Sequence, residues 1–346
     1  MTQTEFNSTE RIRSHAAGFA AGKAADADIK VGLYSITYLG VWYRGGALAL
    51  EDVVLRAKKY GYSGIEIDGK RPHGNPLDMP KSRCEQLRRF ANEQGVEIYA
   101  VAANNDFSSP IPEHRESQIL YVRELLEMTQ NLGAKLMRVF MAWPGVTLFA
   151  EGGGSYDVAK STWRQTHEMF SEEQIWDWCR AGLAETARYA SECGITLALQ
   201  NHPPVVKSYK DCLRMIEEIG ATNLKMCFDG RLEKRADDAE VERATAEVGA
   251  RQVLSHYGGE YDEGPEGITI TPGEKCMAEV LGLVETGYRG YMSYELCHPL
   301  PLIEGKAPEI DFVDKNARLA AAYMKDVIAR AKEMRSAERM EASSND

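Results

Sequence analysis

The stretch Gly194–Pro204, GITLALQNHPP, decides how the chain is read. Gly194 supplies a left-handed stop for the helix before it. Ile195–Leu199 then make a short apolar run suited to a buried strand. Gln200, Asn201 and His202 follow, three side chains able to bind a metal or move a proton, and two prolines prevent the strand from continuing. Such a strand calls for a rim on which its terminal groups are used.

The same unit recurs on both sides of this stretch. Strand-like runs at 31–37, 64–68, 96–103, 134–142, 195–200, 224–229, 251–257 and 290–295 alternate with helical patterns. Those helices are expected near 49–62, 80–95, 114–132, 171–193, 207–219, 237–249, 273–286 and 314–335. Ser171, with Glu172 and Glu173 behind it, reads as a helix N-cap. Eight short apolar strands alternating with helices imply a parallel sheet closed as an α/β, (β/α)8 TIM barrel. A doubly wound open sheet is the alternative. No GxGxxG or GxxxxGK[ST] follows the first strand, which weakens the nucleotide-binding form of that alternative. The domain plan is an N-terminal arm over 1–29, the barrel over 30–336 and a tail over 337–346. Connections from helix to strand are short, whereas those after strands at 142–171, 257–272 and 296–313 are long. In a barrel these long loops share the rim that carries chemistry.

On that rim the second half of the chain places Gln200, Asp229, His256 and Glu295 at four consecutive strand ends. Each has a plain structural reading, as a helix cap, a satisfied core histidine or an arginine partner. Together they form one set of N and O donors in a common register. Such donors suit one divalent ion, Mn²⁺ first, with Mg²⁺, Co²⁺ and Zn²⁺ as alternatives. Cys227, two residues before Asp229, reads as core.

The net charge of −11 and the lack of a long basic cluster argue against a nucleic-acid partner. No apolar run approaches the roughly 20 residues that span a membrane, and the first 28 residues lack a signal-peptide core. Seven cysteines without paired spacing fit reduced thiols in a cytoplasm.

LQNHPP, CFDG, LSHYGGE, GYMSYE and GYSGIEID resemble the sugar phosphate isomerase/epimerase family, the xylose-isomerase-like barrels related in fold to endonuclease IV. The resemblance spans roughly residues 30 to 335. It implies a single divalent metal held by residues of strands five to eight, with two glutamates serving as an acid/base pair. Asp229, His256 and Glu295 match that pattern. Gln200 departs from it, standing where the family has Glu. An amide can ligate a metal but cannot take and return a proton at neutral pH. His202, two residues on, has a chemistry suited to a general base. One-sided proton removal suits β-elimination as well as isomerisation. The resemblance therefore extends to the large subunit of bacterial C-glycoside deglycosidases, which act on 3-oxo-glycosides together with a small second subunit.

The remaining rim residues are expected to bind substrate: Tyr34 after strand one, Asp68 and His73 in IDGKRPHGNP, Asn104 and Asn105 after strand three, Arg138 in strand four and Trp143 behind it. His298 is a candidate acid for the leaving group. The first expectation is a metal-dependent lyase on 3-oxo-glycosides with His202 and Glu295 as catalytic residues. A ketose/aldose isomerase or epimerase, a sugar- or partner-binding barrel without turnover, and an abasic-site endonuclease are the competing readings; an oligomer is expected in each enzymatic case.

Overall fold

The computed structural model describes residues 27–149, 153–271 and 276–344. Most of the arm expected over 1–29 lies outside these residues. The strands are β1 (Asp28–Tyr34), β2 (Gly64–Asp68), β3 (Glu97–Ala102), β4 (Leu136–Val139), β5 (Thr196–Gln200), β6 (Leu224–Phe228), β7 (Gln252–Tyr257) and β8 (Arg289–Tyr294). All pairings among them are parallel, and β8 closes on β1 through Asp28↔Arg289 to Leu33↔Tyr294. The barrel is closed and its strands follow chain order, as expected for (β/α)8.

The helices are α1 (Leu50–Tyr60), α2 (Lys81–Glu93), α3 (Pro112–Leu132), α4 (Asp157–His167), α5 (Glu172–Glu192), α6 (Tyr209–Ile219), α7 (Asp238–Val248), α8 (Cys276–Glu285) and α9 (Ile310–Ser344). Ser171 caps α5 through a reciprocal capping box with Gln174. Gly61 at φ 79° and Gly133 at φ 82° end α1 and α3 in the left-handed conformation that a side chain would disfavour.

Three features were not foreseen. The 142–171 insertion contains α4 and a small hairpin, Thr147–Leu148 with Gly154–Ser155. Only His167 of α4 is buried, and Trp163 packs partly against the core. A second hairpin, Glu260–Gly264 with Gly267–Thr271, rises after β7. Finally, α9 runs to Ser344, through the segment expected as a tail; its last buried residue is Ala331, and the turns beyond carry surface ion pairs such as Arg339 with Glu285 in place of the apolar pattern that marks a helix in sequence.

Two apolar layers hold the barrel. The larger packs the outer face of the sheet against the helices. The smaller, which includes Tyr99, Ala198, Cys227, Leu254 and Tyr291, fills the lumen. Tyr99 on β3 stacks on Tyr291 of β8 with ring centroids 3.7 Å apart, and its hydroxyl lies 2.6 Å from the Ser293 hydroxyl. These strands are not neighbours, so the contact crosses the interior. Gly32 and Gly64 make room for it: a Cβ on Gly32 would stand 2.2 Å from the Tyr99 hydroxyl, and one on Gly64 2.8 Å from the Tyr99 ring. Cys227 is fully buried in this layer, as expected. Among the described residues no helix is long and apolar enough to cross a membrane.

Candidate metal centre and its base

Above the tyrosine layer the lumen turns polar. Glu66 is completely buried on β2. Its Oε1 accepts from Arg138 Nε at 2.8 Å, and its Oε2 lies 2.8 Å from His256 Nε2. β2 and β7 stand apart in the barrel order, so this last contact also spans the interior. Burial alone would raise the Glu66 carboxyl, but His256 and Arg138 outweigh it and hold the group near 2. Burial pushes His256 down, and the Glu66 carboxylate overcomes it to lift the imidazole to about 8. Arg138 is sandwiched between Tyr34 and Phe140, its guanidinium 4.7 and 5.1 Å from the two ring centroids.

Glu66 accepts the Nε2 proton of His256 and so aims Nδ1 at the C-terminal rim; the raised value keeps a proton on Nδ1 in the metal-free chain, and that proton leaves when Nδ1 ligates an ion. There the ligand atoms of Asp229, His256 and Glu295 all lie within 4.8 Å of one another. His256 Nδ1 is buried without a hydrogen-bond partner; Glu295 Oε2 is 3.3 Å away but poorly aligned. A buried imidazole nitrogen without a proton partner, beside two carboxylates, fits a divalent ion taking N and O donors. Asn201 fixes Asp229 by exchanging two hydrogen bonds with its backbone, at 2.9 and 3.0 Å.

Gln200, expected as a fourth ligand, lies next to Asp229 and is hydrogen-bonded at both ends of its amide. Its Oε1 accepts from Arg138 Nη1 at 2.5 Å and its Nε2 donates to Asp229 Oδ2 at 3.3 Å. Arg138 offers only donors, which assigns the amide's orientation. The oxygen expected on the metal accepts from a guanidinium and keeps a second lone pair.

His202 faces the rim through a turn rather than as part of the strand. The His202 N–H donates to the Gln200 carbonyl at 2.8 Å, a tight turn that ends β5. The imidazole packs edge-on against Trp143 and Phe140, at 4.7 and 5.3 Å between centroids. Nδ1–H donates to the Pro203 carbonyl at 2.6 Å, which leaves Nε2 as the acceptor, with no partner among the described residues. Burial, reinforced by Arg138, pushes this imidazole down to about 4, so it is neutral at physiological pH. Glu295 is held well below the usual range: burial raises it, but Arg231 and His256 prevail.

The first half of the rim is arranged differently. A cavity of about 880 Å³ lies among the loops after β1 to β4 and the α4 insertion. Trp143 and Asn104 line it, as do Lys70 and Arg71. Asp229, His256 and Glu295 are outside its lining; Trp143, which touches His202, is the shared wall. Asp68 is buried and takes a 2.6 Å hydrogen bond from Asn104 Nδ2, with Lys70 Nζ at 3.4 Å.

Two residues expected to bind substrate are instead used for structure. His73 is buried, with Nδ1 3.0 Å from the Ser35 hydroxyl and Nε2 3.1 Å from the Leu48 carbonyl. Ser35 in turn accepts from the Asp68 N–H at 2.8 Å. Both ring nitrogens are therefore occupied. Asn105 mimics a strand neighbour for Phe140, exchanging bonds of 2.7 and 3.1 Å with its backbone. His298 sits on the rim, with Nε2 3.1 Å from Glu260 of the second hairpin.

The sequence reading missed Glu66 and Arg231. Glu66 could have been found as the carboxylate in the middle of GIEID, on the same side of the strand as Asp68 and one layer deeper. Arg231, two residues past Asp229, places Nη2 2.8 Å from Asp229 Oδ2 and 2.5 Å from Glu295 Oε1.

Comparison with curated proteins by sequence finds no match. Among solved structures, D-psicose 3-epimerase is 15% identical, with a TM-score of 0.66 over 86% of this chain and 99% of its own. L-ribulose 3-epimerase is 18% identical, with a TM-score of 0.65 over 90% and 98%. The 3-keto-D-glucoside 4-epimerase of E. coli is 16% identical, with a TM-score of 0.58 over 89% and 99%. Likeness at these identities is a likeness of fold. The sequence itself matches the model of the xylose isomerase-like TIM barrel over residues 54–316, and the chain belongs to that family.

Proposed function

We propose that this protein is a divalent-metal-dependent enzyme that removes a proton alpha to a sugar carbonyl, in the isomerase and epimerase class. The observation that carries the reading is His202: a neutral imidazole with Nδ1–H held by Pro203 and Nε2 open, within the electrostatic reach of Glu295 and Asp229 of the clustered set. The family and the fold it shares with three sugar epimerases support the same class.

Asp229, His256 and Glu295 would hold the ion, with Glu66 fixing the tautomer of His256. A bound divalent ion polarises the carbonyl and stabilises the negative charge that develops on its oxygen. His202 Nε2 takes the proton from the adjacent carbon and becomes the imidazolium; Trp143 and Phe140 pack around the ring and restrict water beside it. Returning the proton to the other face gives the epimer; returning it to the neighbouring carbon gives the isomer. His202 can return the proton on its own face, to the neighbouring carbon; return to the other face needs a second donor, and Glu295, kept ionised by Arg231 and His256, serves there only after taking a proton itself. The ion is Mn²⁺ in our reading, and Tyr34, Asp68, Asn104, Arg138 and Trp143 border the sugar.

A second reading is β-elimination from a 3-oxo-glycoside, as in a C-glycoside deglycosidase acting with a small partner subunit. The observation favouring it is Gln200, which denies the site the strand-five carboxylate that two-base epimerisation uses. Elimination needs one base, and His298 on the rim would assist the leaving group. Product analysis separates the readings. The Mn²⁺-loaded protein is given ketohexoses and an aryl 3-oxo-glucoside, and products are followed by chromatography. Epimer or isomer formation establishes the first reading, and aglycone release the second. No product from either substrate class contradicts both.

A further inference from the structure

The two carboxylates best placed to hold a divalent ion already share a cation. Arg231 Nη2 bridges Asp229 Oδ2 at 2.8 Å and Glu295 Oε1 at 2.5 Å, and Nε adds a third contact to Asp229 Oδ1 at 3.1 Å. This guanidinium has a seat shaped for it. A Cβ on Gly258 would stand 2.0 Å from Arg231 Nη1, so the backbone after β7 admits the side chain only because residue 258 is glycine. The seat also keeps the side chain largely out of solvent, at 18% exposure.

We propose that Arg231 is an internal competitor for the metal: guanidinium and divalent ion occupy the Asp229–Glu295 pair alternately, and Arg231 sets the affinity of the site. Two like charges brought between the same carboxylate oxygens repel strongly in a buried site. A divalent ion therefore binds by moving the guanidinium off at least one carboxylate. The metal-free chain keeps its acidic pair neutralised, because an unpaired buried carboxylate is costly. Arg138 does not share this role, since its guanidinium is held by Glu66 and Gln200. The inference rests on the metal site of the proposed function.

The test is Mn²⁺ titration calorimetry on the full-length chain, purified free of metal, as wild type, Arg231→Met and Arg231→Lys. Met keeps the length of the apolar stem and removes the charge; Lys keeps the charge and loses the fork. The expected result is a dissociation constant lower by about tenfold or more in Arg231→Met, one intermediate in Arg231→Lys, and a melting temperature that Mn²⁺ raises more in Arg231→Met than in wild type. If the Met variant does not fold without metal, the Lys variant decides by the same ordering. Equal or weaker binding in both variants overturns the competition and leaves the metal reading intact. Absence of Mn²⁺ binding in all three proteins overturns both.

Discussion

The two halves of the barrel rim carry similar side chains and use them differently. After β5 to β8, an amide, two carboxylates and two imidazoles converge, and two of their atoms, His202 Nε2 and His256 Nδ1, have no hydrogen-bond partner among the described residues. After β2 and β3, an imidazole, a carboxylate and two amides are mostly spent on neighbouring groups, as His73 is on Ser35 and Leu48 and Asn105 on Phe140; the exception is Oδ2 of Asp68, itself the last residue of a strand. The difference is one of backbone. Asp229, His256 and Glu295 sit at or within one residue of a strand's last position, where the pleat aims the side chain. His73 and Asn105 lie in turns, where the chain's own unpaired donors and acceptors claim any nearby polar group. A polar side chain at a strand end is thus a better indicator of chemistry than one in the loop that follows.

The largest effect expected from this contrast concerns Glu66, which joins the halves by linking β2 to Arg138 and His256. Glu66→Ala leaves a buried guanidinium and imidazole without their carboxylate and should cost about 3 to 5 kcal/mol of stability in urea denaturation. A cost under about 1 kcal/mol would mean that the cross-barrel network is not what holds the lumen. His73→Ala should cost about 2 kcal/mol by the same measurement, from two lost hydrogen bonds and lost packing. Its KM for any substrate found should stay near wild type. A raised KM with unchanged stability would break the comparison, by placing His73 back among the binding residues.

An effect of pH sharpens the second half. Glu279 on α8 is buried beneath Asp229, accepting from the Gly230 N–H at 3.1 Å and from the Ser255 hydroxyl. Burial, with Asp229 adding to it, raises this carboxyl to about 8. The folded chain thus holds a proton that an unfolded glutamate has already released. Stability should fall as pH rises from the unfolded value toward 8, by at most about 1.4 kcal/mol per unit. Glu279→Gln mimics the protonated acid and should flatten that fall between pH 6 and 8. An identical decline in the variant would assign the pH dependence to another group.

Much of this was legible before any coordinates. Repeated strand–helix units ending in glycine foretold the closed barrel, and strand-end positions foretold Asp229, His256 and Glu295 as one cluster. What stayed hidden depends on contacts across the lumen. Glu66 and Arg138 meet only because β2 and β4 curve around a common interior. The use of Gln200 by Arg138, and of Asp229 with Glu295 by Arg231, depends on where long side chains reach, and strand periodicity carries no information about that. His202 faces the site through a turn that no alternation rule contains.

The most direct test of the central claim is proton exchange. Mn²⁺-loaded protein is incubated in D₂O with a ketohexose and, separately, a 3-oxo-glucoside, and deuterium at the carbon beside the carbonyl is followed by NMR. The account predicts deuterium incorporation, or product carrying solvent deuterium, with at least one of the two substrates. It also predicts a loss of about 10² to 10⁴ in rate for His202→Ala at unchanged Mn²⁺ content. Exchange that persists in His202→Ala, or its absence with both substrates in a metal-loaded wild type, would contradict it.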